Sequence, residues 1–138
     1  MRVLFDTNVV IDAAVPERVH HPVALQLLSC VDRGQITGLI TATSIATCWY
    51  VATTHHSVDP RPLFQVLDAT FTFAPMNRVA LRAALDASEN TDFEDLYLAA
   101  AGVQAGAQCV VTRNEADFGP SRLVAYHPDE LIAMLPDS

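Results

Sequence analysis

Three groups of acidic residues, far apart along the chain, are the residues most able to do chemistry. Asp6 follows a short apolar run directly, and further acidic residues occur within 92–95 and within 112–118. In open α/β sheets, ligands bind where the strands end. Carboxylates that gather from distant segments repel one another unless a cation lies between them, and hard divalent cations prefer oxygen ligands. The pattern therefore indicates a Mg²⁺ or Mn²⁺ site.

Each acidic group also has a purely structural interpretation. Asp6 precedes a segment that looks like the start of a helix, where Asp is a common N-cap. Thr91 and Glu94 have the spacing of a capping box, and acidic side chains stabilise the first turn of a helix through its dipole. Both interpretations stay open at this level.

Two of the acids are better candidates for a site than their neighbours. Asp95 shares a helical face with Leu98 and Ala99, so its carboxylate should lie at the inner edge of a buried face and need a partner. Asp117 follows a predicted strand, in a loop, where acids are often solvated. Asp117 comes 22 positions after Asp95, which leaves room for one helix and one strand, so both can return to the same sheet edge.

Other polar and aromatic residues are expected to have structural roles. Asp12 is predicted to be a solvated helix residue rather than a ligand. Four aromatic residues are predicted to belong to the core: Trp49, Tyr50, Phe71 and Phe73. The histidine pairs at 20–21 and 55–56 do not suggest a metal site, because adjacent residues on a helix point in different directions.

Short apolar segments alternate with helical patterns along the whole chain. We predict strands at residues 3–5, 38–41, 71–75, 109–112 and 123–126. We predict helices beginning near residue 8 and over residues 23–31, 45–52, 60–69, 79–85, 93–105 and 129–135. This alternation is typical of a mostly parallel sheet covered on both faces. We therefore predict a three-layer α/β/α fold, with residues 1–138 as one domain.

Charge and composition exclude several classes of protein. The net charge is −8, and all eight basic residues are arginine. An acidic chain does not attract nucleic acid by its overall charge, so nucleic-acid chemistry here needs metal ions or a basic partner. The absence of lysine argues against haloacid-dehalogenase phosphatases, receiver domains and P-loop enzymes, all of which use one.

Cysteine content and hydropathy indicate a cytoplasmic protein without a signal peptide or membrane span. Cys30, Cys48 and Cys109 lie in apolar surroundings and are odd in number, so we expect reduced thiols in the core. No apolar run approaches the roughly 20 residues of a membrane helix.

Three motifs, in this order and spacing, resemble those of PIN domains, a family that includes VapC-type toxin ribonucleases. They are VLFDTNVVID at 3–12, FEDLYLAAA at 93–101 and VVTRNEADF at 110–118. The resemblance implies a PIN-like fold with a Mg²⁺- or Mn²⁺-dependent ribonuclease site. It implies Asp6, Asp95 and Asp117 as catalytic metal ligands. Around them it places the polar side chains Thr7, Asn8, Thr112 and Asn114.

The helix after the second strand departs from the common PIN pattern. PIN domains usually carry a Glu early in this helix, and the matching position here is Thr47. A hydroxyl group can hold a water molecule but adds no charge against a metal ion. The alternative interpretation is therefore a PIN-like binding module with weak or lost nuclease activity.

The resemblance also implies partners. RNA would be the substrate, and a toxin would have a small basic antitoxin as its inhibitor. A homodimer is compatible with the family, and no membrane association is expected.

Overall fold

The computed structural model describes residues 1–87 and 92–136, which form a parallel sheet and helices on both of its faces. The strands are β1 Arg2–Phe5, β2 Thr37–Ile40, β3 Thr72–Phe73, β4 Cys109–Val111 and β5 Val124–Tyr126. Their order in the sheet is β3-β2-β1-β4-β5, and every pairing is parallel. The strands occur close to the positions predicted from sequence.

The helices fill the connections between these strands. They are α1 Thr7–Ala14, α2 His21–Asp32, α3 Ala42–His55, α4 Arg61–Thr70, α5 Arg78–Asp86, α6 Phe93–Gln104 and α7 Pro128–Met134. A short 3₁₀ helix, Glu115–Phe118, follows β4. None of the helices in the described ranges is long and apolar enough to cross a membrane.

Successive side chains of the central strand β1 point to opposite faces of the sheet, so the hydrophobic core has two parts, one on each face. Val3 and Phe5 point to one face and pack with residues of α1, α2, α3, α4 and α7. Leu4 points to the other face and packs with Leu98 of α6 and with Phe118. The three-layer α/β/α prediction is confirmed.

A close approach positions α6 on the sheet. Gly102 faces β1, and a Cβ atom at this position would lie 2.8 Å from Leu4 Cδ2. The helix therefore lies closer to β1 than a larger residue would allow. Because α6 runs antiparallel to the strands, its first turn lies at their carboxyl edge.

Of the four aromatic residues predicted to belong to the core, Phe71 is buried, whereas Phe73 on the edge strand β3 is 46% exposed. The prediction is also wrong for Trp49 and Tyr50. Their exposed fractions are 43% and 58%, because α3 buries the opposite side of the helix, which carries Ser44, Cys48 and Ala52. The cysteine prediction is confirmed, since all three are buried and unpaired.

The strand order reverses between β1 and β4. The chain proceeds from β1 outward to β2 and β3, then returns to place β4 on the other side of β1. In open α/β sheets, ligands bind in the crevice at the carboxyl ends of the strands at such a switch point. Asp6 follows β1 and Thr112 follows β4, so both lie at this crevice.

Candidate functional site

Asp6 is buried at the end of β1 and has hydrogen bonds at both carboxylate oxygens. Its side chain is the N-cap of α1, and Oδ1 accepts a hydrogen bond of 2.7 Å from the Thr7 backbone N–H. Oδ2 accepts one of 2.8 Å from Thr112 Oγ1. Each carboxylate oxygen has two lone pairs, so these bonds fix the orientation of Asp6 and leave acceptor capacity for a ligand. The capping role and a ligand role are therefore compatible.

A network of short polar side chains joins the ends of β1 and β4. Thr112 Oγ1 accepts hydrogen bonds from the Asn114 backbone N–H at 3.0 Å and from Asn8 Nδ2 at 3.5 Å. Asn8 Oδ1 accepts one of 3.4 Å from the Arg113 backbone N–H. The structure thus brings the predicted polar neighbours together around Asp6.

Asp95 reaches the same edge from the first turn of α6. The N-cap of this helix is Asp92, whose side chain accepts a hydrogen bond of 3.0 Å from the Glu94 backbone N–H. The expected cap, Thr91, lies outside the described residues. Asp95 is half-buried, whereas Leu98 and Ala99 on the same face are buried, as the helical pattern predicts.

Asp117 lies on the 3₁₀ helix rather than in a loop without regular structure. Its side chain is exposed, while the neighbouring Phe118 is buried against Leu98 and Ala99 of α6. Phe118 therefore anchors this short helix to α6 and holds Asp117 on the side of the crevice.

The acidic side chains are close enough to affect one another electrostatically. Burial, followed by the charges of Asp6, Asp92, Asp117 and Glu94, raises the pKa of Asp95 to about 7. Since a carboxyl group in water has a pKa near 4, the pocket disfavours the ionised form of Asp95 when no cation is present.

The pKa values of Asp6 and Glu94 are also raised, though less than that of Asp95. Burial is the largest cause that raises the pKa of Asp6, and the charge of Asp117 adds to it. The hydrogen bonds from Thr112 and Thr7 and the charge of Arg113 act in the opposite direction. Burial and the charges of Asp92 and Asp6 raise the pKa of Glu94. Glu94, the weaker candidate by sequence, is therefore a fourth acid at the edge of the pocket.

The oxygen-rich donor set has the chemistry that Mg²⁺ and Mn²⁺ prefer. Within the described ranges, however, no three His, Cys, Asp or Glu side chains are grouped closely enough to hold a metal ion by themselves. Mg²⁺ usually keeps several waters and takes only one or two carboxylates from the protein, so an open arrangement fits its coordination habits.

On the side of α3, the residue in contact with the site is Ser44. Its buried Oγ lies 2.7 Å from Thr7 Oγ1, and Thr41, the N-cap of α3, donates a hydrogen bond of 3.3 Å to it. Thr47, the residue predicted from sequence, is half-buried one turn further along the helix. Ser44 was not predicted from the sequence, because its contact with Thr7 joins residues that are 37 positions apart.

Asp12 contradicts the prediction of a solvated side chain. It is 1% exposed and binds two arginines. Arg18 Nε lies 2.8 Å from Oδ1, and Arg113 Nε lies 2.7 Å from Oδ2. Arg113 contacts Asn8 through its backbone N–H and Asp12 through its side chain, so this side chain lies along α1. A buried carboxylate needs such partners, which sequence alone did not reveal.

Comparison with known proteins agrees with the motifs. A family model for the PIN domain matches residues 2–116. No curated protein matches the chain significantly.

Solved structures share the fold at low sequence identity. VapBC2 from Rickettsia felis, bound to a DNA fragment from its promoter, has a TM-score of 0.61 and 16% identity, and the match covers 92% of this chain and 98% of that one. FitAcB from Neisseria gonorrhoeae has a TM-score of 0.60 and 17% identity, with coverage of 91% and 97%. At these identities the similarity establishes the shared fold.

Proposed function

This chain belongs to the PIN domain family, and from that premise we propose that it is a Mg²⁺- or Mn²⁺-dependent ribonuclease. The substrate would be RNA, and the reaction would be hydrolysis of a phosphodiester bond. The reaction would take place at the acidic residues that lie at the switch point between β1 and β4.

The observation that carries the proposal is the convergence of acidic side chains from three separate segments on the switch point between β1 and β4, where Thr112 orients Asp6. Partial burial, followed by the charges of four acidic neighbours, raises the pKa of Asp95 to about 7. A protein that collects like charges in one crevice loses stability there unless a cation offsets them. A divalent cation would remove this cost, and the pKa of Asp95 would then fall.

Asp6 and Asp95 would be the principal ligands of the ion, with Asp117 beside them. Asp6 is oriented by Thr112 and by the Thr7 backbone N–H, so it presents a fixed oxygen to the crevice. Asp95 supplies a second ligand from the first turn of α6. Asp117, the most exposed of the three, would complete the site or orient the attacking water. When bound, the divalent ion lowers the pKa of a water molecule and offsets negative charge that develops on the phosphate.

Metal-dependent cleavage of single-stranded RNA tests the proposal. We expect the purified protein to cleave a fluorescently labelled RNA with Mg²⁺ or Mn²⁺ and to stop when EDTA is added. Asp95→Asn should lose cleavage, while Glu130→Gln, which keeps a hydrogen-bond acceptor at the cap of α7, should retain it. Cleavage that persists in Asp95→Asn, or in EDTA, would contradict the proposed site.

We further propose that the protein is the toxin of a VapBC-type pair. The PIN family match and the fold shared with VapBC2 and FitAcB support this interpretation. The inhibitor would be a small basic protein that pairs an arginine with the clustered carboxylates, because a guanidinium binds carboxylates through parallel hydrogen bonds. Co-expression with the product of the neighbouring open reading frame should give a stable complex and suppress cleavage. A neighbour that neither binds nor inhibits would argue against a toxin.

A binding module without turnover is the second candidate function. The specific observation in its favour is Thr47, which offers a hydroxyl group where PIN domains commonly have a Glu. A protein that binds RNA and Mn²⁺ but leaves the RNA intact would have this function.

A further inference from the structure

We propose that Arg18 and Arg113 form a subsite that binds one backbone phosphate of single-stranded RNA beside the acidic pocket. The subsite rests on the proposed use of RNA as substrate. It assigns a role in substrate recognition to residues that contact none of the three candidate metal ligands directly.

The two guanidinium groups share one buried carboxylate. Arg113 donates to Asp12 through Nε at 2.7 Å and through Nη2 at 3.4 Å, and Arg18 donates through Nε at 2.8 Å. The backbone oxygen of Asp12 lies 2.8 Å from His21 Nδ1, which further fixes this part of α1. Because Asp12 is 1% exposed, it holds both arginines in defined positions.

This cluster carries more positive than negative charge. Two arginines and one aspartate leave a surplus of one positive charge, since guanidinium groups stay protonated at any physiological pH. Each guanidinium has five N–H donors, and the bonds to Asp12 use only some of them. The side chains of Arg18 and Arg113 are 27% and 23% exposed, so part of each can meet a ligand from solvent. A second anion would balance the charge and accept the remaining hydrogen bonds.

The cluster adjoins the acidic pocket through a short chain of contacts. Arg113 follows Thr112, which bonds to Asp6, and the Arg113 backbone N–H donates to Asn8. A cation therefore lies within electrostatic reach of the carboxylates that would otherwise repel RNA.

A phosphate is the anion that this geometry favours. Guanidinium groups recognise phosphate oxygens through paired hydrogen bonds, and a single strand of RNA supplies phosphates on both sides of the bond to be cleaved. One phosphate on the arginines would fix the register of the strand while its neighbour lies at the carboxylates. In a chain with net charge −8, such a local cation would position substrate that the overall charge repels.

Single substitutions can remove the surplus charge while leaving Asp12 paired. In Arg113→Gln, Arg18 still binds Asp12, and in Arg18→Gln, Arg113 does, so both variants should fold. Arg113→Lys keeps the positive charge but replaces the planar guanidinium group, so it separates the effect of charge from that of side-chain shape. Arg33→Gln is the matched control, because this exposed arginine bonds to Gln35 before β2, at the opposite edge of the sheet.

The experiment measures RNA affinity against NaCl concentration by fluorescence anisotropy. All variants carry Asp95→Asn, with Mg²⁺ present and the RNA checked for integrity afterwards. We expect Arg113→Gln and Arg18→Gln to weaken binding and to reduce the slope of log affinity against log salt by about 0.7, the value for one lost phosphate contact on a single strand. Arg113→Lys should keep most of the slope, and Arg33→Gln should match the parent.

The outcomes separate this proposal from the proposed nuclease activity. If the protein cleaves RNA but neither glutamine variant changes the salt slope, the subsite is wrong and the nuclease proposal stands. If the slope falls as expected in a protein that never cleaves RNA, the subsite stands and the nuclease proposal fails. If the Asp95→Asn parent binds no RNA at any salt concentration, the subsite is wrong, and cleavage by the unsubstituted protein decides the nuclease proposal.

Discussion

At the scale of single residues, Asp6 combines a structural and a chemical role. It caps α1 and accepts a hydrogen bond from Thr112, yet it remains within electrostatic reach of Asp95 and Asp117. An N-cap interpretation therefore does not compete with a ligand interpretation. The orientation that capping imposes is what would present a fixed oxygen to a metal ion.

Asp95→Asn should not destabilise the protein when metal is absent. The pKa of Asp95 is near 4 in the unfolded chain and about 7 in the folded one, so the folded state binds the proton more tightly. Its contribution to stability is then fully present below about pH 4 and is lost as the pH rises through about 7. In EDTA at pH 8, we expect the variant to melt at the same temperature as the parent or higher.

Thermal melts between pH 4 and pH 8 measure this effect. The decline of melting temperature with rising pH should be shallower in Asp95→Asn than in the parent, although Asp6 continues to contribute in both. A clear drop in melting temperature at pH 8 would mean that the Asp95 carboxylate stabilises the fold and does not belong to a site held open for a cation.

Thr47→Glu should tighten Mn²⁺ binding if this position faces the pocket. One added carboxylate ligand is expected to be worth on the order of 1.4 kcal/mol, or about tenfold in affinity. Isothermal titration calorimetry with Mn²⁺ compares Thr47→Glu with the control Gln26→Glu, which adds the same charge at an exposed position of α2. Equal affinity in the two variants would show that Thr47 points away from the ion and that this chain needs no fourth acid there.

Candidate site residues could be predicted from the sequence where their place at a strand end or helix start suggested them. Residues whose roles depend on contacts with distant parts of the chain could not. Asp6 and Thr112 were identifiable because each follows a strand, and Asn8 was suggested by the resemblance to PIN domains. The role of Asp12 depends on Arg113, 101 residues away, and that of Ser44 depends on Thr7, 37 residues away. Neither pairing leaves a signal in local spacing.

At the scale of elements, the site forms where β1, β4 and the first turn of α6 meet. Alternation of short apolar segments with helical patterns was sufficient to predict the sheet and its layers. The side of α3 that is buried was not predictable, because Trp49 and Tyr50 are as apolar as the residues on its covered face. Contacts with α1 decide which side faces inward.

Gly102→Ala should move α6 away from β1. The new Cβ would lie 2.8 Å from Leu4 Cδ2, and Leu4 is fully buried and has little room to shift. Overpacking of this kind typically costs about 1–3 kcal/mol. Chemical denaturation should show that loss, together with weaker Mn²⁺ binding as Asp95 moves with the helix.

Gly119→Ala is the control for this substitution. Its nearest neighbour would be the Ala116 carbonyl oxygen at 3.4 Å, and its backbone already has an ordinary helical φ of −52°. We expect little change in its stability. Equal stability of the two variants would show that α6 has more freedom on the sheet than its close approach to β1 indicates.

At the scale of the whole molecule, the excess of negative charge lies mainly in the second half of the chain. Residues 71–138 carry ten acidic and four basic side chains, against six and four in residues 1–70. If the protein cleaves RNA as proposed, it would depend with this balance on cations at its site, which a metal ion and the two arginines on Asp12 would supply. The same excess explains why a basic protein would be a suitable inhibitor.

A crystal soaked with Mn²⁺ tests the central claim most directly, because anomalous diffraction locates the ion independently of any assay. We predict a single strong peak, or two adjacent peaks, in the crevice between the ends of β1 and β4. Oxygen atoms of Asp6 and Asp95 should lie at roughly 2.0–2.6 Å from it, with Asp117 bound directly or through water. Absence of any peak at these carboxylates at millimolar Mn²⁺, or a peak only elsewhere on the molecule, would contradict a metal-dependent nuclease site here.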